Sequence, residues 1–565
     1  MPASLANETS GRGLSRRGLL LGSGLAAVGA ALGLAGCTPR QAAFPALGTA
    51  PLPVPPLAPS RLSGNRRSFL LTAGTGESRL IAGRPEVVTP TMGYNGASLG
   101  PTLRARQGEL VRVEVRNDLT ETTTLHWHGM HLPAAMDGGP HTPIAAGRTR
   151  TAEWQLRQPA ATLWYHPHPH GQTEAQVLNG LAGLFIVDDD ASLRSGLPSE
   201  YGVDDLPLIL QDRFLDATGR IVRVEGDNAL GTIGGTLLAN GVSGTHVEVT
   251  AALLRLRLLN GCSGRFLDLR FADGRPFTLV GTDGGLLGDP VELDRLLLSP
   301  GERAEILVRF RPGDRTVLRT ERPQLPGTAV GGADLTPGDF VEFRAAGSLR
   351  PSAPWRLPTE RRTVPSAAQA ARTRSFELRM PFINGRPMDL NRIDAVVRLG
   401  DTEVWEVTSS DVMAHNFHVH DVQFRVLDID GAAPPAELAG WKDTVPVLPG
   451  QRLRLIMRFE DYADDRVPYM VHCHLLRHED AGMMGQFLVT ADGTGPERID
   501  SPTTTTDTAE PGGRRPMRMD GRRGSWRTAP TRPNRASSIS CDDIELSDIV
   551  IASSDDRAIP PRRYR

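Results

Sequence analysis

The sequence predicts an all-β protein built from β-sandwiches, and three observations carry this prediction. Short apolar runs recur along most of the chain, and some, such as LVRVEV at 110–115, place apolar residues at every second position. This period is typical of half-buried strands. Turns are frequent, with 60 Gly and 45 Pro in 565 residues, and few stretches show helical periodicity. Many short strands at regular spacing indicate sandwiches rather than a helical or mixed fold.

Composition divides the chain into strand-rich blocks and connecting segments. A Pro-rich segment is expected to form an extended tether, and a tail with a Thr run and no sustained periodicity is expected to be largely disordered. The predicted boundaries are a signal at 1–36, the tether at 37–64, strand-rich blocks at 65–190, 200–345 and 374–492, a linker at 346–373, and the tail at 493–565.

The N-terminus is predicted to be an export signal. Arg16 and Arg17 precede a Gly, Ala and Leu run that reaches Gly36, which is typical of a twin-arginine signal for folded proteins. The run ends in LAGC at 34–37, which resembles a bacterial lipobox. We therefore expect export by the twin-arginine (Tat) machinery to the periplasm or the outer face of the cytoplasmic membrane. A lipid on Cys37 would be the only membrane contact.

Charge and cysteine content exclude two classes of protein. The 63 basic and 65 acidic residues give a net charge of −2, so the chain lacks the basic surplus of a nucleic-acid binder. Four cysteines in 565 residues exclude a disulfide scaffold. The 14 histidines carry more information, because 11 of them fall in four short clusters: 126–128, 166–170, 415–420 and 472–478.

Strand geometry groups these clusters into a multinuclear site. Residues two apart in a strand face the same side, so each His-x-His pair presents two imidazoles to one region. Four pairs supply eight nitrogen ligands, which is too many for one metal ion and suits a small metal cluster. In the second cluster His168 is paired by spacing with both His166 and His170, and spacing alone does not choose between them.

A second site follows from parity around Cys473. This residue lies between His472 and His474 and must face the opposite way, and His415 likewise has opposite parity to His418. His478 and Met483 follow Cys473 by five and ten residues. Two His, a thiolate and a weak thioether form the ligand set of blue copper. One peptide bond on either side then links this site to the cluster.

With these motifs the chain resembles the three-domain bacterial multicopper oxidases of the copper-efflux oxidase and laccase branch. The resemblance spans roughly residues 65–490 and includes further short motifs. It implies three cupredoxin-like Greek-key β-sandwich domains. The further motifs are Asn240-Gly241, LLNGC at 258–262, TDGGLL at 282–287, Asn384-Gly385 and GWKDTV at 440–445.

The resemblance also implies four coppers per chain: one type 1, one type 2 and two type 3. Its pattern selects His166 and His168 over His170. The implied ligands are His415, Cys473, His478 and Met483 for type 1; His126 and His418 for type 2; His128, His166 and His474 for one type 3 copper; and His168, His420 and His472 for the other.

Three carboxylates match acids of the family. Asp137 and Glu479 match acids on the proton path to the cluster. Asp411 matches the Asp that contacts a type 1 His in copper-efflux members, and Met413 matches a further ligand of substrate copper. Those copper-efflux members carry a Met-rich insert before the third domain, which supports the handling of substrate copper, but the corresponding linker at 346–373 contains no Met. An open type 1 edge would instead favour bulky phenols.

The expected enzyme has two possible reductants, and two other classes of function are less well supported by the sequence. The expected enzyme oxidises Cu(I) or phenolic compounds and passes the electrons to dioxygen. A copper-free cupredoxin scaffold that only binds partners is the alternative, as for a cell-division factor of this fold, but all twelve ligands are present. A copper carrier or nitrite reductase is also disfavoured, because a carrier needs no cluster and such reductases usually have two domains per chain.

Overall fold

The computed structural model describes residues 46–224, 230–326, 335–358 and 362–500. These residues form six β-sheets with a few short helices, which confirms the all-β class. No helix in this part of the chain is long and apolar enough to cross a membrane. The predicted signal, Cys37 and the tail beyond residue 500 lie outside the described residues.

The first sandwich packs a four-stranded sheet against a five-stranded one. In the strand Leu110–Asn117 the alternating side chains of Val111, Val113 and Val115 are buried in its core, as the sequence period predicts. The elements of residues 46–193 are β1 Ala50–Pro51, β2 Arg61–Ser63, β3 Arg66–Ser78, β4 Thr89–Tyr94, β5 Leu103–Arg106, β6 Leu110–Asn117, β7 His126–His128, β8 Thr149–Gln155, β9 Ala161–His166, α1 Thr173–Leu178, β10 Gly183–Asp188 and α2 Asp190–Leu193.

The second sandwich contains two six-stranded sheets around a Leu- and Phe-rich core. Its first sheet is completed by β1 from the N-terminal segment, which pairs with β13. The strands of this sandwich are β11 Asp205–Arg213, β12 Thr236–Ala239, β13 Thr245–Ala251, β14 Leu253–Asn260, β15 Leu267–Phe271, β16 Phe277–Thr282, β17 Gly285–Leu293, β18 Leu296–Leu298, β19 Arg303–Arg309, β20 Arg315–Glu321 and β21 Gly338–Arg350.

The third sandwich contains two five-stranded sheets, and its core includes aromatic contacts of Trp405 with Phe376 and Phe417. Its elements are β22 Arg372–Arg379, β23 Phe382–Ile383, β24 Ala395–Arg398, β25 Thr402–Ser409, β26 His415–Val419, β27 Phe424–Ile429, β28 Thr444–Val447, β29 Arg452–Arg458, β30 Asp464–His472, α3 Leu476–Asp480 and β31 Met484–Thr490.

The described part of the Pro-rich segment predicted as a tether, residues 46–64, is bound along the first and second sandwiches. Ala50 pairs with Thr245 of the second sandwich, and the hydroxyl of Tyr201 donates a 2.7 Å hydrogen bond to the carbonyl of Pro55. Leu57 forms a bridge to Thr102 of the first sandwich. Proline removes backbone donors but keeps carbonyl acceptors, so this segment binds along its neighbours without forming a long strand.

Candidate metal centres

The histidine clusters lie at strand ends where the first and third sandwiches meet. In the first sandwich β7 pairs with β9, and His126 lies opposite His166. In the third sandwich β26 pairs with β30, and His418 lies opposite His472. Because paired strands lie about 4.8 Å apart, each pairing brings the imidazoles of two clusters together.

Eight buried imidazoles converge at this junction, and we call them the eight-histidine cluster. The rings of His126 and His420, one from each sandwich, stack with centroids 3.8 Å apart. The Nε2 atoms of His168 and His472 lie 3.2 Å apart, again across the junction. The eight members are His126, His128, His166, His168, His418, His420, His472 and His474.

Six of these rings turn one nitrogen outward to an oxygen that accepts its hydrogen bond. In five of them the outward atom is Nδ1, and in His128 it is Nε2. Such bonds fix the tautomer and the ring orientation of a metal ligand. The pairs are His126 with the Asp137 carbonyl at 3.0 Å, His128 with the Asp443 carboxylate at 3.0 Å, His166 with the Pro167 carbonyl at 2.8 Å, His418 with the Asp443 carbonyl at 2.9 Å, His420 with the Asp137 carboxylate at 2.7 Å and His472 with the Cys473 carbonyl at 3.2 Å.

The inward nitrogens fit a metal. Nε2 of His126, His166 and His418 is buried and has no hydrogen-bond partner among the described residues. An unpaired buried polar atom costs about 1–3 kcal/mol, so a bound cation would relieve this cost. Burial also lowers the pKa of His418 well below 6.5 and that of His472 to about 3. These rings are therefore neutral, which is the form that ligates metals.

A second buried site lies in the third sandwich around Cys473. Its Sγ is 3.7 Å from Nδ1 of His415 and 3.5 Å from Nδ1 of His478, and the two Nδ1 atoms are 3.1 Å apart. Met483 is fully buried, and its backbone bonds to those of Cys473 and His478. Burial raises the pKa of the Cys473 thiol to about 12, so a thiolate at this position requires a bound cation.

Two of the sequence-predicted acids contact the outer side of the eight-histidine cluster. The Asp137 carboxylate lies 2.7 Å from Nδ1 of His420. The two carboxylate oxygens of Glu479 lie 3.3 Å from Nδ1 of His168 and 3.3 Å from Nδ1 of His472. Burial raises the pKa of Glu479 well above 4.5, so this carboxyl group can hold a proton near neutral pH.

The third predicted acid lies at the edge of the Cys473 site. The Asp411 carboxylate is 3.2 Å from Nε2 of His415, and this hydrogen bond lowers the pKa of Asp411 well below its usual range. Val412 is 65% exposed, whereas Met413 packs partly buried against the core of the third sandwich. Asp411 therefore connects a buried imidazole to the protein surface.

The remaining histidines lie outside both sites. His170 is exposed, whereas His166 and His168 are buried among the other rings. His131 bonds to Asp461 at 2.7 Å, and His141 bonds to Gln486 at 2.6 Å. His246, 3.3 Å from Glu248, is half-buried.

Sequence reasoning gave no role to a buried set of charges beside the cluster. Lys442, the only lysine of the chain, lies 2.9 Å from Asp283 and 2.6 Å from Glu302. The next residue, Asp443, accepts two hydrogen bonds from Arg303, at 2.7 and 2.6 Å. The motif GWKDTV is visible in the sequence, but its ionic partners Asp283, Glu302 and Arg303 lie in or beside connections of the second sandwich that are distant in sequence.

Comparisons with known proteins agree with this geometry. Residues 80–192 and 354–493 match family models described as multicopper oxidase. The multicopper oxidase mco of Staphylococcus haemolyticus is 34% identical over 77% of this chain and 92% of its own length. The cell division protein FtsP of Escherichia coli strain K12 is 35% identical over 84% of this chain and 99% of its own.

Solved structures that resemble this chain are also multicopper oxidases and laccases. A bacterial laccase-like multicopper oxidase, CueO from Ochrobactrum sp., is 38% identical, with a TM-score of 0.70 over 78% of this chain and all of its own. A laccase from Pediococcus acidilactici is 34% identical, with a TM-score of 0.71 over 80% and 96% of the two chains. The three sandwiches are thus cupredoxin-like, and the chain belongs to the bacterial multicopper oxidases.

Proposed function

We propose that this chain is an oxidase that takes single electrons from Cu(I) or a phenolic reductant and uses four of them to reduce dioxygen to two waters. One observation carries the proposal: the segment His472-Cys473-His474 contributes to both buried sites, so one peptide bond on either side of Cys473 connects them. Copper bound at the two sites supplies the one-electron transfer and the reduction of dioxygen.

Residues of this chain would hold that copper as four ions. His415, Cys473, His478 and Met483 form the proposed type 1 site. For the cluster we propose type 2 ligands His126 and His418, and two type 3 sets: His128, His166 and His474, and His168, His420 and His472. Every one of these side chains is buried, which excludes water from both sites.

The acids have separate roles in this proposal. Asp411 holds the His415 ring and provides the path from the surface to the Cys473 site. Glu479 lies between two imidazole Nδ1 atoms and, with its raised pKa, holds a proton for the reduction of dioxygen. Asp137 orients His420 and is the second acid on the proposed proton path.

Substitution of Cys473 tests the proposal. Cys473→Ser removes the thiolate, so we expect loss of the blue visible absorption and of oxygen uptake with a phenolic reductant. Met130→Leu is a matched control, because Met130 is buried in the first core and is not a predicted ligand. Oxygen uptake by Cys473→Ser at the wild-type rate would contradict the proposal.

The alternative function is a copper-free scaffold that binds partners. It is supported by the relative that is named as a cell division protein. The retention of all twelve predicted ligands in two buried sets favours the oxidase. Metal analysis after reconstitution with copper separates the two functions. A protein without bound copper after reconstitution would favour the scaffold.

We also propose export. The twin-arginine pattern at Arg16 and Arg17 and the LAGC at 34–37 support a Tat-exported lipoprotein on the outer face of the cytoplasmic membrane. Labelling with a radioactive fatty acid is expected to mark the wild type and not Cys37→Ala. Equal labelling of both proteins would contradict the lipid anchor.

A further inference from the structure

The second sandwich provides none of the proposed copper ligands, yet one of its segments reaches the cluster. This segment, Ser299 to Arg303, connects β18 to β19. The Asn416 amide donates to the carbonyl of Pro300 at 2.7 Å, and the Asn416 side-chain oxygen accepts from the backbone N–H of His474 at 2.6 Å. The segment therefore fixes the backbone of a proposed ligand through one side chain.

The same segment packs directly against an imidazole of the cluster. Gly301 has a φ of +87°, and a Cβ at this position would lie 3.1 Å from ring atoms of His474. The absence of a side chain allows the backbone to approach the ring this closely. The segment is itself held by Asn260, whose carbonyl accepts from the N–H of Gly301 at 2.9 Å.

Arg303 acts on a second imidazole through Asp443. Its guanidinium donates to both carboxylate oxygens of Asp443, at 2.7 and 2.6 Å, and one of these oxygens lies 3.0 Å from Nε2 of His128. All three side chains are fully buried. The Nε atom of Arg303 also donates to the carbonyl of Thr162 at 3.1 Å, so the guanidinium contacts all three sandwiches.

This contact accounts for the unusual orientation of His128. Five other rings of the cluster bond outward through Nδ1, whereas His128 bonds outward through Nε2 and turns its Nδ1 inward. An N–H on Nε2 that donates to Asp443 leaves the Nδ1 lone pair free for a metal. A two-point ion pair holds Asp443 in the plane that this bond requires.

We propose that the segment 299–303 is a positioning element for one type 3 ligand set, and that Arg303 selects the tautomer of His128 through Asp443. The segment would align His128 and His474, which belong to the same proposed set. The inference rests on the proposed function in one respect, since it takes the bound metal to be copper.

The test compares two buried arginines of the same sandwich. Arg303→Met is expected to lower the copper affinity by about 10–100-fold, the usual cost of losing an outer partner of a metal ligand. Arg257→Met is the matched control: Arg257 is also buried and donates to both oxygens of Asp205, at 2.6 and 3.0 Å, but contacts no cluster histidine. Arg257→Met should keep the wild-type copper affinity.

A second readout works without copper. In full-length copper-free protein labelled with ¹⁵N-histidine, the ring nitrogens of His128 are expected to report an Nε2–H tautomer in the wild type. Arg303→Met should shift them toward a mixture, and Arg257→Met should not. Arg303→Lys keeps the charge but loses the two-point contact, so an intermediate result is expected.

The possible outcomes distinguish the proposed oxidase function from the positioning role of Arg303. A wild-type protein that binds no copper would refute the proposed function, and the nitrogen spectra would still test the positioning role. Wild-type copper affinity and wild-type His128 spectra in folded Arg303→Met would overturn the inference. If Arg303→Met does not fold, the same results in Arg303→Lys would overturn it.

Discussion

At the scale of single residues, the alternation of side chains explains how Cys473 can serve one site while His472 and His474 serve another. That parity can be read from the sequence, and in the structure Cys473, His415 and His478 lie together, apart from the other rings. The acidic and basic partners could not be found in this way, because Asp443 meets His128 across 315 positions of the chain.

Glu479→Gln tests proton supply to the cluster. The amide keeps the size of the side chain but cannot hold an ionisable proton, so we expect oxygen-dependent reoxidation to slow by about 100-fold. Anaerobic reduction of the Cys473 site should keep its rate, since the Glu479 carboxylate lies against His168 and His472 of the eight-histidine cluster. Stopped-flow absorption measures both steps, and an unchanged reoxidation rate would refute the role of Glu479.

Asp411→Ala tests the surface edge of the Cys473 site. Loss of the ionised carboxylate beside His415 is expected to reduce kcat/KM for Cu(I) by about tenfold, because an outer partner and a negative charge for the cation are both removed. A neutral phenol should be affected less. Exposed Asp465 provides Asp465→Ala as the control. Equal losses for Cu(I) and the phenol would contradict selective use of Asp411.

At the scale of elements, periodicity predicts half-buried strands well and fully buried ones poorly. β6 alternates in sequence and in burial. β14 reads LLRLRLLN and would be expected to expose Arg255 and Arg257, but every residue of this strand is buried. The two arginines are neutralised by Asp205 and Glu305, which come from other strands. Short-range sequence patterns do not contain such partners.

Glu305→Gln tests the strength of this buried network. Burial opposes the charge of Glu305, but Arg255 and Arg257 outweigh it and lower its pKa to about 2. A lowered folded-state pKa stabilises the protein above the unfolded value near 4.5, and this contribution is lost as pH falls toward 2. We expect Glu305→Gln to lower the free energy of unfolding by about 3 kcal/mol at pH 7.

Denaturant titrations at several pH values measure this effect. The difference between wild type and Glu305→Gln should shrink steadily below pH 4.5. Glu292→Gln is the control, since Glu292 lies in an exposed part of β17. A difference between wild type and Glu305→Gln that stays constant down to pH 3 would show that the ionised form of Glu305 is not what stabilises the network.

At the scale of the whole molecule, the proposed ligands of the eight-histidine cluster come from the first and third sandwiches, and the second sandwich adds outer support through Arg303. His168 and His472 are 304 positions apart and meet at 3.2 Å. The ligand sets implied by the family resemblance already combine histidines of the first and third strand-rich blocks. The contribution of the second sandwich was not predicted, because Arg303 belongs to no recognisable ligand motif.

Copper should therefore join the sandwiches and stabilise the fold. A ligand that binds only the folded state adds about 2.7 kcal/mol when its free concentration is 100 times its Kd. We expect the copper-loaded protein to unfold at a clearly higher temperature than the copper-free protein in differential scanning calorimetry. Identical unfolding temperatures would show that the metal does not bridge the sandwiches.

We propose that one chain couples single-electron oxidation to the complete reduction of dioxygen. The most direct test is the ratio of a one-electron reductant oxidised to dioxygen consumed by the copper-loaded protein, measured together with hydrogen peroxide. We predict a ratio of four with no peroxide, because single electrons taken up at a copper-loaded Cys473 site would collect at the cluster. A ratio of two with accumulating peroxide, or no oxygen consumption, would show that this chain does not reduce dioxygen to water.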